Sequence, residues 1–136
     1  IKLIIRGIFC MLTQNDKFKV PPTAISIVDE YLEHARVWVF CNGGKEKVYI
    51  SSADWMVRNL DHRVEASCPI LDERIKKELK DILDIQLQDN VKARILDNNL
   101  SNDYVRNDHA INIRSQEETY NYLYSKIPIT VEVSSN

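Results

Sequence analysis

Apolar positions follow two different periods along the first third of the chain, and these periods predict its first elements. Residues 2–9 are apolar and rich in β-branched side chains, which predicts a buried strand. Residues 13–23 are polar and contain two prolines, so they predict a loop. Residues 23–34 repeat apolar side chains at helical spacing, which predicts a helix with Thr23 as its N-cap.

A β-hairpin is the next predicted unit. Residues 36–41 and 46–51 both have strand character, and the intervening Asn-Gly-Gly at 42–44 is a strong turn signal because such turns need positive φ. Residues 54–63 predict a loop with a helical turn, and residues 63–70 predict another strand.

The longest helical pattern covers residues 72–96, with Asp72 at the N-cap position and charged side chains opposite the apolar face. A polar loop follows over residues 97–112. Residues 115–127 predict a last helix, capped by Ser115 with Glu118 three positions on, and residues 128–136 predict a weak strand or a frayed end. The order of elements predicts an α/β fold in which a mixed β-sheet is flanked by helices.

Composition limits the function classes. A chain of 136 residues suits one domain, and its net charge of -2 argues against a bulk polyanion binder, so an anion site must be a local cluster. Three scattered cysteines fit a reducing cytoplasm better than a disulfide framework. The chain has no apolar run of membrane-spanning length and no visible signal peptide. It opens directly on an apolar strand, so we expect a fragment of a longer protein.

His34 and Arg36 lead into the first strand of the hairpin. Residues two apart in a strand face the same side, so the two side chains project together if the strand begins that early. An imidazole can move a proton near neutral pH, and a guanidinium holds phosphate oxygens with paired planar donors. The alternative is that His34 complements the dipole at the end of the predicted helix 23–34.

Polar residues also close the second strand of the hairpin. Ser52 and Asp54 lie across the hairpin from His34, where a hydroxyl can bind phosphate and a carboxylate can orient an imidazole. The alternative is a local turn held by hydrogen bonds from Ser and Asp side chains to the backbone.

Arg6 lies within an apolar stretch, where burial without a partner would be costly. The neighbouring Gly7 would let another group approach the backbone closely. Arg6 therefore forms either a buried ion pair or part of a pocket for an anionic ligand. The sequence has no phosphate-binding glycine motif, no zinc-ligand spacing and no aromatic–basic pattern of a nucleic-acid binder.

Three stretches resemble the C-terminal portion of the type 1 polyphosphate kinases over about residues 1–106. They are IIRG, SIVDEYLEHARVWVFCNGGKEKVYISSADWMVRNLDHRVE and DNVKAR. The resemblance implies a phospholipase D-like domain spanning residues 1–136, the fourth and last of a longer enzyme. It also implies reversible transfer of the ATP terminal phosphate to inorganic polyphosphate, with magnesium and through a phosphohistidine that lies upstream of this chain.

By the same resemblance His34 corresponds to the family's second active-site histidine, and Arg6 to its pocket arginine. Both are expected to contact nucleotide or polyphosphate, with Arg36, Ser52 and Asp54 beside them, and no metal ligand is assigned to this chain. The implied partners are ATP or ADP, polyphosphate, the upstream domains and further copies of the full-length enzyme, with no nucleic acid. The implied location is the cytoplasm, with membrane association of the full-length enzyme left open.

Two other functions remain alternatives. The phospholipase D superfamily uses His-x-Lys followed by Gly-Ser-x-Asn, whose counterparts here are His34-x-Arg36 and Ser51-Ser52-x-Asp54. Aspartate in place of asparagine and serine in place of glycine depart from that pattern, which counts against phosphodiester hydrolysis by a phosphodiesterase or nuclease. The second alternative is a non-catalytic binding or oligomerisation module that uses the surface of the helix predicted over 72–95.

Overall fold

The strands form two small sheets, with helices packed beside them. The computed structural model describes residues 1–107 and 111–128. The first sheet has the order β1-β2-β6 and the second β3-β4-β5. In chain order the elements are β1 (Lys2–Ile4), β2 (Thr23–Ile27), β3 (Val37–Phe40), β4 (Lys47–Ser51), α1 (Val57–His62), β5 (Ser67–Ile70), α2 (Glu73–Leu87), β6 (Ala93–Ile95) and α3 (Ser115–Tyr124).

The first sheet is mixed. β1 runs parallel to β2, with Leu3 opposite Ala24, and β6 runs antiparallel to β2, with Arg94 opposite Ser26. The second sheet is antiparallel throughout: Trp38 lies opposite Tyr49, and Tyr49 lies opposite Pro69. The α/β prediction is confirmed, but the strands divide between two sheets instead of forming one.

The predicted hairpin is confirmed. A short 3₁₀ turn over Asn42–Gly44 joins β3 to β4. All three residues of this turn have positive φ, which explains why the sequence places asparagine and two glycines there.

The helix predicted over residues 23–34 is wrong. Residues 23–27 form β2, and residues 28–36 have neither helical nor strand structure. Ile25 and Ile27 alternate with Ala24 and Ser26, and β-branched side chains favour a strand, so the two-residue period decided the outcome. Because that helix is absent, the interpretation of His34 as its C-terminal residue is also wrong.

The long helix prediction is correct at its start and wrong at its end. Asp72 caps α2, since its Oδ1 accepts hydrogen bonds from the backbone N–H of Arg74 at 2.8 Å and of Ile75 at 3.4 Å. The helix ends at Leu87, and Ala93–Ile95 instead form β6. The second alternative assigned partner binding to the surface of a helix over 72–95. Residues 88–95 of that segment lie outside α2.

The last helix is present, but its predicted cap is not. α3 begins at Ser115, so Ser115 is the first helical residue, and its hydroxyl is buried without a partner among the described residues. The carboxylate of Asp89 takes over the role of a cap by accepting the Ser115 N–H at 2.8 Å. The predicted C-terminal strand lies, from residue 129 onward, outside the described residues.

The buried core is small. The apolar residues that are buried in the described part of the chain are Ala24, Ile27, Val48, Ala53 and Ala93. Many large apolar side chains are exposed, including Ile8, Trp55 and Leu71. No helix in residues 1–107 or 111–128 is long and apolar enough to cross a membrane.

Candidate functional site

The hairpin brings His34, Arg36 and Asp54 into one chain of hydrogen bonds. The Nε of Arg36 donates to Oδ1 of Asp54 at 2.7 Å, and Nη2 of Arg36 lies 2.8 Å from Nε2 of His34. His34 is exposed, and the side chains of Arg36 and Asp54 keep 22% and 36% of their accessible surface. A water-accessible arginine is thus held between a carboxylate and an imidazole.

The register of β3 and β4 explains why these groups meet. The backbone N–H of Ser51 donates to the carbonyl of Arg36 at 2.9 Å, which extends the pairing one residue before β3. The side chain of Arg36 then lies near the end of β4, where the chain turns toward Asp54. Trp55 packs edge-to-face on Trp38, with ring centroids 5.8 Å apart, and fixes this turn against the sheet.

The contacts determine the charge states of the pair. The Arg36 hydrogen bond holds the pKa of Asp54 below its usual value against a smaller opposing effect of burial. The Asp54 carboxylate in turn raises the pKa of Arg36. A guanidinium has donors only, so Nε2 of His34 is the acceptor in this contact, which leaves Nδ1 as the ring nitrogen that can donate to another group.

Arg36 retains capacity for a further ligand. A guanidinium has five N–H donors in a planar fork. One binds Asp54 and one faces His34, so three have no partner among the described residues. Because these donors lie on a partly exposed, permanently charged group, they suit an oxyanion.

The hydroxyl of Ser52 already has two partners in the structure. Its hydroxyl donates to Oε2 of Glu65 and accepts the backbone N–H of Ala66 at 3.0 Å. Asn59 donates to the other oxygen of Glu65 at 2.7 Å. These two side-chain donors hold the pKa of Glu65 below its usual value. In this arrangement the Ser52 proton is committed to Glu65 and is not available to a phosphate.

Arg6 makes no hydrogen bond to the side chains of this cluster. It is exposed, two residues beyond the end of β1, and makes no hydrogen bond or ion pair with the described residues. The interpretation as a buried ion pair is therefore wrong. Nothing lies within 4 Å of a side-chain carbon built on Gly7, so this glycine is required by its φ of 123° and not by a close approach. The meeting of Arg6 with His34 stays a prediction.

A second polar cluster, which sequence reasoning missed, holds the segment that carries His34. Arg114 makes two hydrogen bonds to Asp29, from Nε at 2.8 Å and from Nη2 at 2.7 Å. The side chain of Gln116 pairs with both backbone groups of Tyr31. These partners are 85 positions apart in the sequence, so no local pattern reveals them.

Asp89 ties this cluster to β6. Its buried carboxylate accepts the backbone N–H groups of Val91, Lys92 and Ala93 on Oδ1, and that of Ser115 on Oδ2. Burial opposes ionisation, but the backbone donors outweigh it and keep the pKa of Asp89 below its usual value. One carboxylate therefore makes the turn into β6 and fixes the start of α3.

Comparison with known proteins decides the family. The model of the polyphosphate kinase C-terminal domain 2 matches residues 1–116. The chain belongs to the polyphosphate kinase C-terminal domain family. The predicted family and the α/β, phospholipase D-like fold are thereby confirmed.

Individual relatives agree with this assignment. The polyphosphate kinase of Escherichia coli (strain K12) is 46% identical over 125 residues, which are 92% of this chain and 18% of the relative. That of Vibrio cholerae is 47% identical over 123 residues, 90% of this chain and 18% of the relative. The crystal structure of polyphosphate kinase from Porphyromonas gingivalis matches with a TM-score of 0.87 and 47% identity, covering 92% of this chain and 19% of that one. The chain spans about a fifth of the length of these polyphosphate kinases.

Proposed function

We propose that this chain is the C-terminal part of an ATP:polyphosphate phosphotransferase, in which it supplies the second half of the active site. The reaction is reversible transfer of the ATP terminal phosphate to polyphosphate through a phosphohistidine outside this chain. Support comes from the family and from one geometric observation. That observation is a partly exposed Arg36, held by Asp54 and in contact with His34, with donors that have no partner among the described residues.

The proposed roles follow from the donors that remain. Arg36 binds oxygens of the transferring phosphoryl group with N–H groups not used by Asp54 and His34. His34 accepts from Arg36 on Nε2, so its Nδ1–H is the group that donates to a phosphate oxygen. Arg6, exposed and without an acidic partner among the described residues, adds a second guanidinium once ligand is bound. Asp54 keeps Arg36 oriented.

We assign Ser52 to holding the hairpin end through Glu65, in place of the direct phosphate contact that its sequence position predicted. A hydroxyl that already donates to a carboxylate and accepts a backbone N–H has no proton left for a phosphate oxygen.

Magnesium is proposed as the metal of the complete enzyme. In the described part of this chain, no group of three or more His, Cys, Asp or Glu side chains could hold a metal ion. The residues present therefore do not fit a metal site, and no step is assigned to magnesium here.

The proposed partners are ATP or ADP, polyphosphate, the upstream domains of the same enzyme and further copies of it, with no nucleic acid. Exposed apolar side chains such as Trp55 and Leu71 support packing against other domains, because large apolar surfaces commonly mark interfaces. Free thiols at Cys10, Cys41 and Cys68 support a reducing cytoplasm.

The decisive experiment compares wild type and His34→Ala in the complete enzyme. We expect the variant to keep its thermal transition and to lose most polyphosphate synthesis, because a hydrogen bond to the transferring group is removed. Synthesis at a near-normal rate would refute the role of His34.

The isolated chain provides a second test of the proposal. We expect it to transfer no phosphate from ATP, since the phosphohistidine is outside it, and to leave a chromogenic phosphodiester intact. Phosphate transfer by the isolated chain would contradict the proposal. Hydrolysis of the diester would favour the phosphodiesterase alternative.

A further inference from the structure

The segment 28–34, which ends at His34, has no helical or strand structure of its own. Its odd-numbered residues are tied to other elements instead. Asp29 binds Arg114, Tyr31 binds Gln116, and Glu33 binds both Gln116 and Gln86. The conformation of this segment is therefore imposed from outside by α3 and α2.

Gln116 makes the most specific of these contacts. Its Oε1 accepts the N–H of Tyr31 at 3.1 Å, and its Nε2 donates to the carbonyl of Tyr31 at 2.8 Å. One primary amide thus satisfies both backbone groups of one residue, as the backbone of a neighbouring strand would. The same Nε2 also donates to Oε1 of Glu33 at 3.0 Å.

These bonds fix the backbone immediately before the candidate site. Glu33 is the neighbour of His34, whose ring is held among the described residues only by Arg36 at 2.8 Å. If the backbone at residues 31–33 were mobile, the imidazole of His34 would be displaced with it. A displacement of about 1 Å in a reacting constellation can lower a rate by about a hundredfold.

We propose that Gln116 is a positioning residue for His34, acting through the backbone of Tyr31 and the carboxylate of Glu33. This inference rests on the proposed function of His34. Gln116 does not touch the substrate. α3 thereby acquires a role in phosphoryl transfer, because its first turn holds the segment that presents the imidazole.

The test uses the complete enzyme with Gln116→Ala and a matched control, Gln88→Ala. Among the described residues the Gln88 side chain donates to the carbonyl of Asp84 alone, at 3.1 Å, and makes no hydrogen bond to either cluster. We expect Gln116→Ala to lower kcat by about tenfold to a hundredfold with a similar KM for ATP, whereas Gln88→Ala keeps the wild-type kcat. We expect Gln116→Glu to fail to rescue kcat, because a carboxylate cannot donate to the Tyr31 carbonyl and repels Glu33.

A second readout is independent of activity. Diethyl pyrocarbonate acylates neutral imidazoles, and mass spectrometry of the peptide that contains residue 34 gives the rate of modification. We expect this rate to change severalfold in Gln116→Ala and to remain unchanged in Gln88→Ala. An unchanged kcat, or an unchanged modification rate at His34, in Gln116→Ala would overturn the proposal.

The two proposals fail in distinguishable ways. If His34→Ala keeps normal synthesis, the role of His34 itself is refuted. If His34→Ala loses synthesis while Gln116→Ala does not, only the positioning role is refuted. If Gln116→Ala lowers kcat by the same factor in the presence and absence of the His34 side chain, the residue acts through the general fold and the positioning role is again refuted.

Discussion

Two of the arginine–aspartate pairs, Arg36–Asp54 and Arg114–Asp29, have nearly identical chemistry but differ in what surrounds them. Arg36 makes one hydrogen bond to a half-exposed Asp54, and its Nη2 also contacts Nε2 of His34. Arg114 makes two hydrogen bonds to Asp29, whose side chain is only 1% exposed, and it also binds Glu30 and Glu117.

The two pairs differ in how many N–H donors of the arginine lack a partner among the described residues. Arg114 is surrounded by three carboxylates that neutralise its charge, and its contacts join the segment 28–34 to α3. Arg36 has one carboxylate, and three of its N–H groups have no partner among the described residues. A charged pair therefore indicates a binding site only when its donors are incompletely satisfied, and the presence of the pair itself carries little information.

The largest effect is expected at Arg36. In the complete enzyme we expect Arg36→Ala to lower kcat for polyphosphate synthesis by about a hundredfold to a thousandfold, equivalent to ~2.7–4 kcal/mol of barrier. We expect Arg36→Lys to restore only part of this, since lysine keeps the charge and loses the planar fork. The control is Arg74→Ala, whose exposed side chain pairs with Asp72 alone in the described part of the chain. A kcat for Arg36→Ala within threefold of wild type would remove the distinction between the two pairs.

The second effect concerns local stability near the Arg114–Asp29 pair, at the buried carboxylate of Asp89. Asp89→Ala leaves four backbone N–H groups without their acceptor. Because an unpaired buried donor costs ~1–3 kcal/mol, we expect the local opening free energy of residues 89–95 to fall by at least that amount. Amide hydrogen exchange of this peptide in the complete enzyme measures it. Asp97→Ala, which removes an exposed acceptor for the Ser101 N–H, serves as the control. Unchanged protection in Asp89→Ala would show that this carboxylate is dispensable.

The third effect is a pH dependence of the Asp29–Arg114 contact. The Arg114 hydrogen bonds hold the pKa of Asp29 below its ordinary value of 3.8 against the opposing effect of burial. The folded state therefore binds fewer protons than the unfolded state, so the contribution of Asp29 to stability is fully present above the ordinary pKa. It is lost as the pH falls through the lowered value. We expect protection of residues 28–34 from hydrogen exchange to decline in acid, and Asp29→Asn to flatten that profile. An equally steep acid decline in Asp29→Asn would assign the effect to other carboxylates.

The smallest effect is expected at Ser52. Its hydroxyl serves Glu65 and the Ala66 N–H, so Ser52→Ala removes a neutral contact at the hairpin end and not a phosphate donor. We expect kcat to fall by less than about tenfold, as the net value of such a hydrogen bond is near 1 kcal/mol. Ser51→Ala, which removes the 2.8 Å contact to Ser67, is the neighbouring control. A loss at Ser52 as large as that of Arg36→Ala would return the residue to direct phosphate binding.

Local signals predicted those elements whose stability is local. The hairpin followed from Asn-Gly-Gly between two strand-forming runs, and the start of α2 followed from Asp72, whose carboxylate bonds to N–H groups two and three positions on. The contact of His34 with Arg36 was also predicted from a two-residue spacing, although both residues lie before the start of β3 at Val37.

The failures occurred where distant partners decided between two conformations. Residues 28–34 carry a helix-compatible pattern, yet Arg114 and Gln116, 85 positions away, hold them in another form. Residues 88–96 continue the apolar face of α2, yet the Asp89 carboxylate gathers the next backbone N–H groups into a turn that leads into β6.

By itself the sequence determined the α/β class, the hairpin with its polar ends and the family, because these depend on residue types at short, fixed spacings. Only the tertiary structure decided which polar groups are already satisfied. It directed Ser52 to Glu65, left three donors of Arg36 without a partner among the residues that the structure describes, and joined the His34 segment to α3. The physical reason is that a hydrogen bond depends on where its partner lies in space, and the partners of Tyr31 and Asp29 are brought to them by the folding of the whole chain.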